Sequence, residues 1–247
     1  MMDKTIPSTG LGAELEGQLQ PVVDSLGRVY HRHLVSVFLY GSAARGDFIS
    51  GRSDVNLLVI LQSVRLEDLA EAAKLLRRWR KLKIAPLFLT AGELRLAAHA
   101  FPLEVSDIQE SGRLLCGSNP FAAIVVSPEH ARAQCRRELH GGLIRLRQGY
   151  LELLDRGEAL GGLLAGATTS LLPVFRAIVR LSGTPVPTTD MKVVESVASR
   201  HHLDRDLLTT LLAHKRGSIR LATADVRQIL SRLIEEWERV VALVDAV

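Results

Sequence analysis

Residues Tyr40–Leu61 read YGSAARGDFISGRSDVNLLVIL, and this stretch decides how the fold is interpreted. An apolar segment runs into Gly41-Ser42, and a second apolar segment begins directly after Asp54. A glycine lets the backbone approach a phosphate closely, and a strand-to-helix turn points free N–H groups at an anion. An aspartate at the start of the facing strand is suited to hold a divalent cation between protein and phosphates. The stretch therefore predicts a phosphate-binding turn that faces a carboxylate.

The same residues resemble the signature of the nucleotidyltransferase superfamily, in which a Gly-Ser turn is followed by Asp-x-Asp. The resemblance implies that Gly41 and Ser42 contact the phosphates of a nucleoside triphosphate. It also implies that Asp54 is a catalytic residue and the principal Mg²⁺ ligand, and that Arg45 neutralises a phosphate. An ion pair between Arg45 and Asp47 that fixes the loop is the alternative interpretation of this arginine.

Asn56 departs from the signature, because the second acidic position of the motif holds an amide. In active relatives two carboxylates here, with a third acid on a neighbouring strand, bind Mg²⁺, usually as two ions. Two such ions need anionic ligands to offset their charge, whereas asparagine offers only a carbonyl oxygen. Asn56 is therefore predicted to be either an auxiliary metal ligand beside Asp54 or a polar residue of a site that kept the fold and lost the chemistry.

The third acid of the family is not evident in this sequence. The predicted strand Lys83–Leu89 occupies the position where many small family members carry it, and this strand has no acidic residue. Glu104 is the remaining candidate, since its Leu-Glu-Val context is similar to that of the general base of aminoglycoside adenylyltransferases. We predict a fourth strand over Leu103–Ile108, in which Glu104 points either to the site or to solvent. Its predicted role is accordingly a catalytic base or a surface salt bridge.

The pattern of apolar residues changes along the chain and predicts two domains. Residues 1–120 alternate strands and helices, which indicates an α/β nucleotidyltransferase-type domain with a mixed sheet flanked by helices. Residues 127–247 are periodic as helices throughout, which indicates an all-α helical bundle. The predicted elements of the first domain are a helix at 12–30, strands at 34–40, 54–61, 83–89 and 103–108, and helices at 66–81 and from a Thr90–Glu93 capping box to 98.

Composition narrows the class of partner. The net charge is +4 over 247 residues, without the strong basic excess of a nucleic-acid binder, so no nucleic-acid partner is expected. The two cysteines lack metal-ligand spacing, the N-terminus lacks an apolar signal core, and no apolar run reaches the ~18 residues of a membrane span. We therefore expect a cytoplasmic protein with no membrane partner.

The sequence favours Mg²⁺-dependent transfer of a nucleoside monophosphate from a nucleoside triphosphate, such as ATP, to a small-molecule acceptor. The order of a nucleotidyltransferase-type domain followed by helices resembles aminoglycoside nucleotidyltransferases and many bacterial proteins with a nucleotidyltransferase domain. A degenerate relative that binds a nucleotide or a partner without transfer is the main alternative. A regulatory module of the toxin–antitoxin type is a third. The apolar helical stripes also allow a homodimer.

Overall fold

The computed structural model describes residues 13–49, 53–153 and 156–245. The chain divides into two compact units, Met1–Ser127 and Pro128–Val247. The first unit combines a sheet with helices and the second is helical, so the predicted fold class is confirmed.

The first unit is built on a four-stranded mixed sheet with the strand order β3-β2-β1-β4. Strand β1 pairs antiparallel with both β2 and β4, whereas β2 and β3 are parallel. The strands are β1 (Leu34–Tyr40), β2 (Val55–Leu61), β3 (Ile84–Thr90) and β4 (Arg113–Gly117). The helices are α1 (Ala13–Tyr30), α2 (Ser42–Arg45), α3 (Leu66–Arg78), α4 (Ala91–Ala100) and α5 (Pro102–Ser111), with short 3₁₀ turns at His31–His33 and Arg80–Leu82.

Strand β2 runs through the middle of this unit and packs on both faces. Its alternating residues Val55, Leu57, Val59 and Leu61 pack in one apolar cluster with α1 and α3. Leu58 and Ile60 face the other way and pack with α4 and α5. Because side chains alternate along a strand, Asn56 belongs to this second face. The fold therefore places the unusual motif residue on the side of the sheet that α4 and α5 cover.

The predicted strand at Leu103–Ile108 is wrong, because these residues lie in helix α5. Pro102 occupies the first turn of that helix, where its missing N–H costs nothing. Val105 donates its backbone N–H to the Phe101 carbonyl, as helical geometry requires. The alternation of Leu103 and Val105 suggested a strand, but the buried residues continue at helical spacing through Ile108. The fourth strand is β4 instead, which lies after this helix and pairs with β1.

The second unit contains five helices within the described residues: α6 (Pro128–Leu153), α7 (Gly157–Leu181), α8 (Asp190–His201), α9 (Arg205–Arg216) and α10 (Thr223–Asp245). Helix α7 packs against each of the other four. Helices α6 and α10 approach closely at one point, where a β-carbon on Gly142 would lie 2.1 Å from Trp237 Cζ2. The Trp237 indole N–H donates to the Leu139 carbonyl at 2.8 Å, so its polar atom is satisfied inside the bundle.

Residues Ala159–Leu181 of α7 are long and apolar enough to cross a membrane by length and composition alone. The expectation that no segment reaches this threshold therefore has to be corrected. Polar residues interrupt the apolar run at 168–170 and at Arg176, but the segment as a whole is apolar enough. Because 56% of the apolar window is buried inside the protein, the segment has the pattern of a core helix.

Candidate functional site

The turn after β1 depends on glycine at position 41. Gly41 has φ 75° and ψ −153°, a backbone region that is essentially restricted to glycine. A β-carbon at this position would lie 2.6 Å from the Nδ2 atom of Asn56. Both the backbone conformation and the close neighbour therefore require glycine, and the Asn56 amide lies directly against the turn.

Backbone hydrogen bonds hold the residues that follow the turn. The Arg45 N–H donates to the Gly41 carbonyl at 3.2 Å, and the Asp47 N–H donates to the Ser42 carbonyl at 3.0 Å. Ala44 is buried, and its carbonyl accepts a hydrogen bond from Nε of Arg113 on β4 at 3.0 Å. The turn is thus tied to β4 as well as to the end of β1.

Arg45 forms an ion pair with Asp107 of helix α5. Its Nη1 atom lies 3.7 Å from Asp107 Oδ2, and the two side chains are only 15% and 20% exposed. The local sequence suggested Asp47 as a partner of this arginine and gave no indication of Asp107. The ion pair connects the turn to α5, and it reduces the charge that Arg45 offers to a phosphate.

Asp54 and Asn56 lie at the start of β2, beside the turn. Asp54 is exposed and directly precedes the strand, and Asn56 is half-buried within it. The strand register pairs Asn56 with Tyr40 on β1 and with Ala85 on β3. Gly41, which follows Tyr40, is therefore adjacent to Asn56.

The family model described as the nucleotidyltransferase domain matches residues 23–115. These residues include the turn, Asp54 and Asn56, and all of the sheet except the end of β4. Residues 23–115 form a nucleotidyltransferase domain.

Beyond residues 23–115, the fold of most of the chain is similar to that of a solved structure. The spectinomycin adenyltransferase from Enterococcus faecialis, determined with ATP and spectinomycin, is similar with a TM-score of 0.57 and 11% sequence identity. The similarity covers 90% of this chain and 98% of that chain. At this level of identity the similarity shows a common fold. Among curated proteins, none matches the sequence.

Glu104 lies in the first turn of helix α5 of the nucleotidyltransferase domain, with an exposed side chain. Because Glu104 lies on a helix, the two orientations that strand alternation predicted for its side chain no longer apply. Glu104 and Asp107 are three residues apart, so they lie on the same side of the helix. The carboxylate of Glu104 is therefore on the side of α5 that carries the partner of Arg45, and its catalytic role stays a prediction.

The described residues of the nucleotidyltransferase domain do not supply the ligands of a two-ion centre. No group of three or more His, Cys, Asp or Glu residues with metal-binding geometry occurs within 13–49, 53–153 and 156–245. On β3, the position beside Asn56 is Ala85, which has no ligand atom in its side chain. These residues fit a single divalent cation better than two ions. Asp54 offers a carboxylate, Asn56 offers an amide oxygen and a nucleotide brings its own phosphates.

Three residues around the turn were missed by the sequence analysis. Asp107 and Arg113 hold the turn from α5 and β4, and Tyr40 lies across from Asn56. Burial raises the pKa of Tyr40, so its phenol stays protonated at neutral pH. Tyr40 could have been identified from the sequence, because it directly precedes Gly41-Ser42 and therefore ends β1 beside the start of β2. The other two contacts join segments far apart in sequence, and nothing in the local pattern indicates them.

Proposed function

We propose that this protein transfers a nucleoside monophosphate from a nucleoside triphosphate to a small-molecule acceptor. The observation that carries the proposal is the close approach of Gly41 to Asn56, with the exposed Asp54 carboxylate at the start of the same strand. This arrangement puts a glycine turn, a hydroxyl and a carboxylate at one edge of a nucleotidyltransferase domain. Those are the groups that binding and activation of a triphosphate require.

In this proposal each residue has a separate role. Gly41 leaves room for a phosphate at the turn, and the Ser42 hydroxyl donates a hydrogen bond to it. Arg45, held by Asp107, stabilises negative charge that develops on the phosphates. Glu104 is the proposed base that accepts the proton of the acceptor. The acceptor's nucleophilic atom forms the new bond to the α-phosphorus, and pyrophosphate leaves.

A divalent cation, Mg²⁺ in the proposal, is expected to be held by Asp54 with Asn56 as an auxiliary ligand. When bound, it supplies positive charge that offsets the phosphates and the leaving pyrophosphate. The protein's own residues then orient the triphosphate along the turn and keep it beside the carboxylate.

A small molecule is the proposed acceptor. The solved adenyltransferase with the same overall fold was determined with ATP and with spectinomycin, a small-molecule antibiotic. This supports ATP as the first nucleotide to test and small molecules that carry hydroxyl or amino groups as the first acceptors.

Pyrophosphate release tests the proposal. The full chain is mixed with each of the four nucleoside triphosphates, Mg²⁺ and a panel of small hydroxylated and amino-bearing acceptors that includes spectinomycin. Asp54→Asn keeps the size of the side chain and removes its charge, so acceptor-dependent release should fall by about 10²–10³-fold or more. Glu67→Gln on α3, which removes one exposed carboxylate elsewhere in the same domain, should leave release unchanged. Equal release by wild type and Asp54→Asn would contradict the proposal.

A second function, nucleotide binding without transfer, is favoured by the uncharged pair Asn56 and Ala85. With one carboxylate instead of three, the site offers less negative charge to hold the metal ions that stabilise the transition state. Saturable ATP binding without pyrophosphate release from any acceptor mixture would support this second function over the first.

A further inference from the structure

The row of side chains that crosses the sheet at Asn56 carries no negative charge. Asn56 is paired with Tyr40 on one side and Ala85 on the other. Tyr40 has a phenol side chain and Ala85 has a methyl group, so neither neighbour of Asn56 is a carboxylate. The nearest carboxylate in sequence is Asp54, which lies outside the strand and is exposed. A nucleotide at the turn therefore meets no carboxylate in this row of the sheet.

The Asn56 side chain is also oriented toward the turn. Its Nδ2 atom is the one that approaches Gly41, 2.6 Å from where a β-carbon would be. The side chain is half-exposed and makes no hydrogen bond to any residue that the structure describes. An asparagine Nδ2 carries two N–H donors. These donors lie at the backbone position where the phosphates are proposed to bind.

We infer that Asn56 binds the nucleotide as a hydrogen-bond donor to phosphate, and that nucleotide binding does not require a divalent cation. The inference rests on the nucleotide site proposed above. A carboxylate at position 56 repels a phosphate unless a cation lies between them, whereas an amide N–H attracts the phosphate directly. The role of Mg²⁺ is then confined to the transfer step. The ligand class is a nucleoside triphosphate free of bound metal.

Calorimetric titration of the full chain with ATP tests the inference, once in EDTA and once in Mg²⁺. For wild type we expect dissociation constants that agree within about threefold between the two buffers. For Asn56→Asp we expect binding in EDTA to weaken by about tenfold or more, with recovery in Mg²⁺. Gln62→Glu is the matched control, since it makes the same amide-to-carboxylate change just beyond the far end of β2 and should behave as wild type.

The outcomes separate this inference from the proposed function. Wild-type binding that is about tenfold or more weaker in EDTA than in Mg²⁺ would overturn the inference and leave transfer possible. Unchanged affinity of Asn56→Asp in EDTA would also overturn it. ATP binding in EDTA with no pyrophosphate release in any mixture would support the inference and contradict the transfer. No binding of ATP, GTP, CTP or UTP in either buffer, with a native circular dichroism spectrum, would contradict both.

Discussion

The side-chain amide of Asn56 fills the space that a β-carbon on Gly41 would need, because its Nδ2 atom lies 2.6 Å from that position. This contact joins the two halves of the motif, the glycine turn after β1 and the polar residue within β2. It follows from the register that places Asn56 opposite Tyr40, the residue before the glycine. A substitution at either residue is therefore expected to change the position of the other.

Gly41→Ala is expected to destabilise the protein and to weaken nucleotide binding. A non-glycine residue in this backbone region costs about 1–3 kcal/mol, and the new methyl group must also displace the Asn56 side chain. Chemical denaturation and ATP titration measure the two effects. In an Asn56→Ala background the same glycine substitution should cost less, with a coupling energy of about 0.5–3 kcal/mol. Strict additivity of the two substitutions would show that the contact carries no energy.

Gly46→Ala serves as the control for this substitution. Gly46 also has a positive φ, 82°, but a β-carbon there would meet no atom within 4 Å. We expect a loss of about 1–2 kcal/mol from the left-handed backbone alone, with ATP affinity retained. A loss of ATP affinity as large as that of Gly41→Ala would mean that the effect comes from the loop as a whole.

Gly142→Ala is expected to destabilise the helical unit. The new methyl group would lie 2.1 Å from Trp237 Cζ2, and overpacking of this kind costs about 1–3 kcal/mol. Thermal unfolding followed by circular dichroism measures the change. Gly166→Ala in helix α7 is the matched control, because its β-carbon would meet no atom within 4 Å. That variant should gain about 0.5–1 kcal/mol from helix propensity. Equal effects of the two substitutions would contradict the close packing of α6 on α10.

Local patterns in the sequence predicted the elements whose signals are local. The apolar runs of β1 and β2 placed both strands, and the Thr90–Glu93 capping box placed α4. In the structure the Glu93 N–H donates to Thr90 Oγ1 at 3.1 Å and the Thr90 N–H donates to Glu93 Oε2 at 2.7 Å. Helix α5 was predicted as a strand because Leu103 and Val105 alternate with polar residues, and the helix start at Pro102 was not recognised.

The site was predictable only in part, because local sequence patterns indicate local structure but not long-range contacts. Gly41 and Asn56 are brought together by hairpin-like pairing of adjacent strands, which a motif of fixed spacing encodes. The pairing of Arg45 with Asp107 and of Arg113 with the Ala44 carbonyl depends on how α5 and β4 pack on the sheet. Such long-range contacts follow from tertiary structure and leave no periodic signal.

The buried thiol of Cys135 is expected to make stability depend on alkaline pH. Burial raises the pKa of this fully buried thiol from 9.0 to about 11. Because the folded-state pKa is raised, the stabilisation is fully present below pH 9 and is lost as the pH rises through about 11. A shift of this size corresponds to about 2–3 kcal/mol.

Comparison with Cys135→Ala isolates this contribution. Burial also raises the pKa of Tyr30 to about 12, and that effect is common to both proteins. The free energy of unfolding, measured by denaturation between pH 8 and pH 11, should therefore fall more steeply for wild type than for Cys135→Ala. Parallel curves for the two proteins would show that the thiol does not contribute.

Asn56→Asp is expected to tighten Mg²⁺ binding and to raise any pyrophosphate release. The new carboxylate adds the charge that Asn56 lacks, and the gain should be at most on the order of 10²–10³-fold. Steady-state release in saturating Mg²⁺ measures it. A loss of metal affinity in this variant would show that position 56 is not close to the metal.

The most direct test of the central claim, that a nucleoside triphosphate binds at the turn of Gly41 and Ser42, is a titration of wild type and Ser42→Trp with ATP, GTP, CTP and UTP. The account predicts saturable binding of at least one triphosphate to wild type and its loss in Ser42→Trp, with the circular dichroism spectrum preserved. The same affinity in a folded Ser42→Trp variant would contradict the account, because an indole at this position leaves no room for a phosphate against the turn.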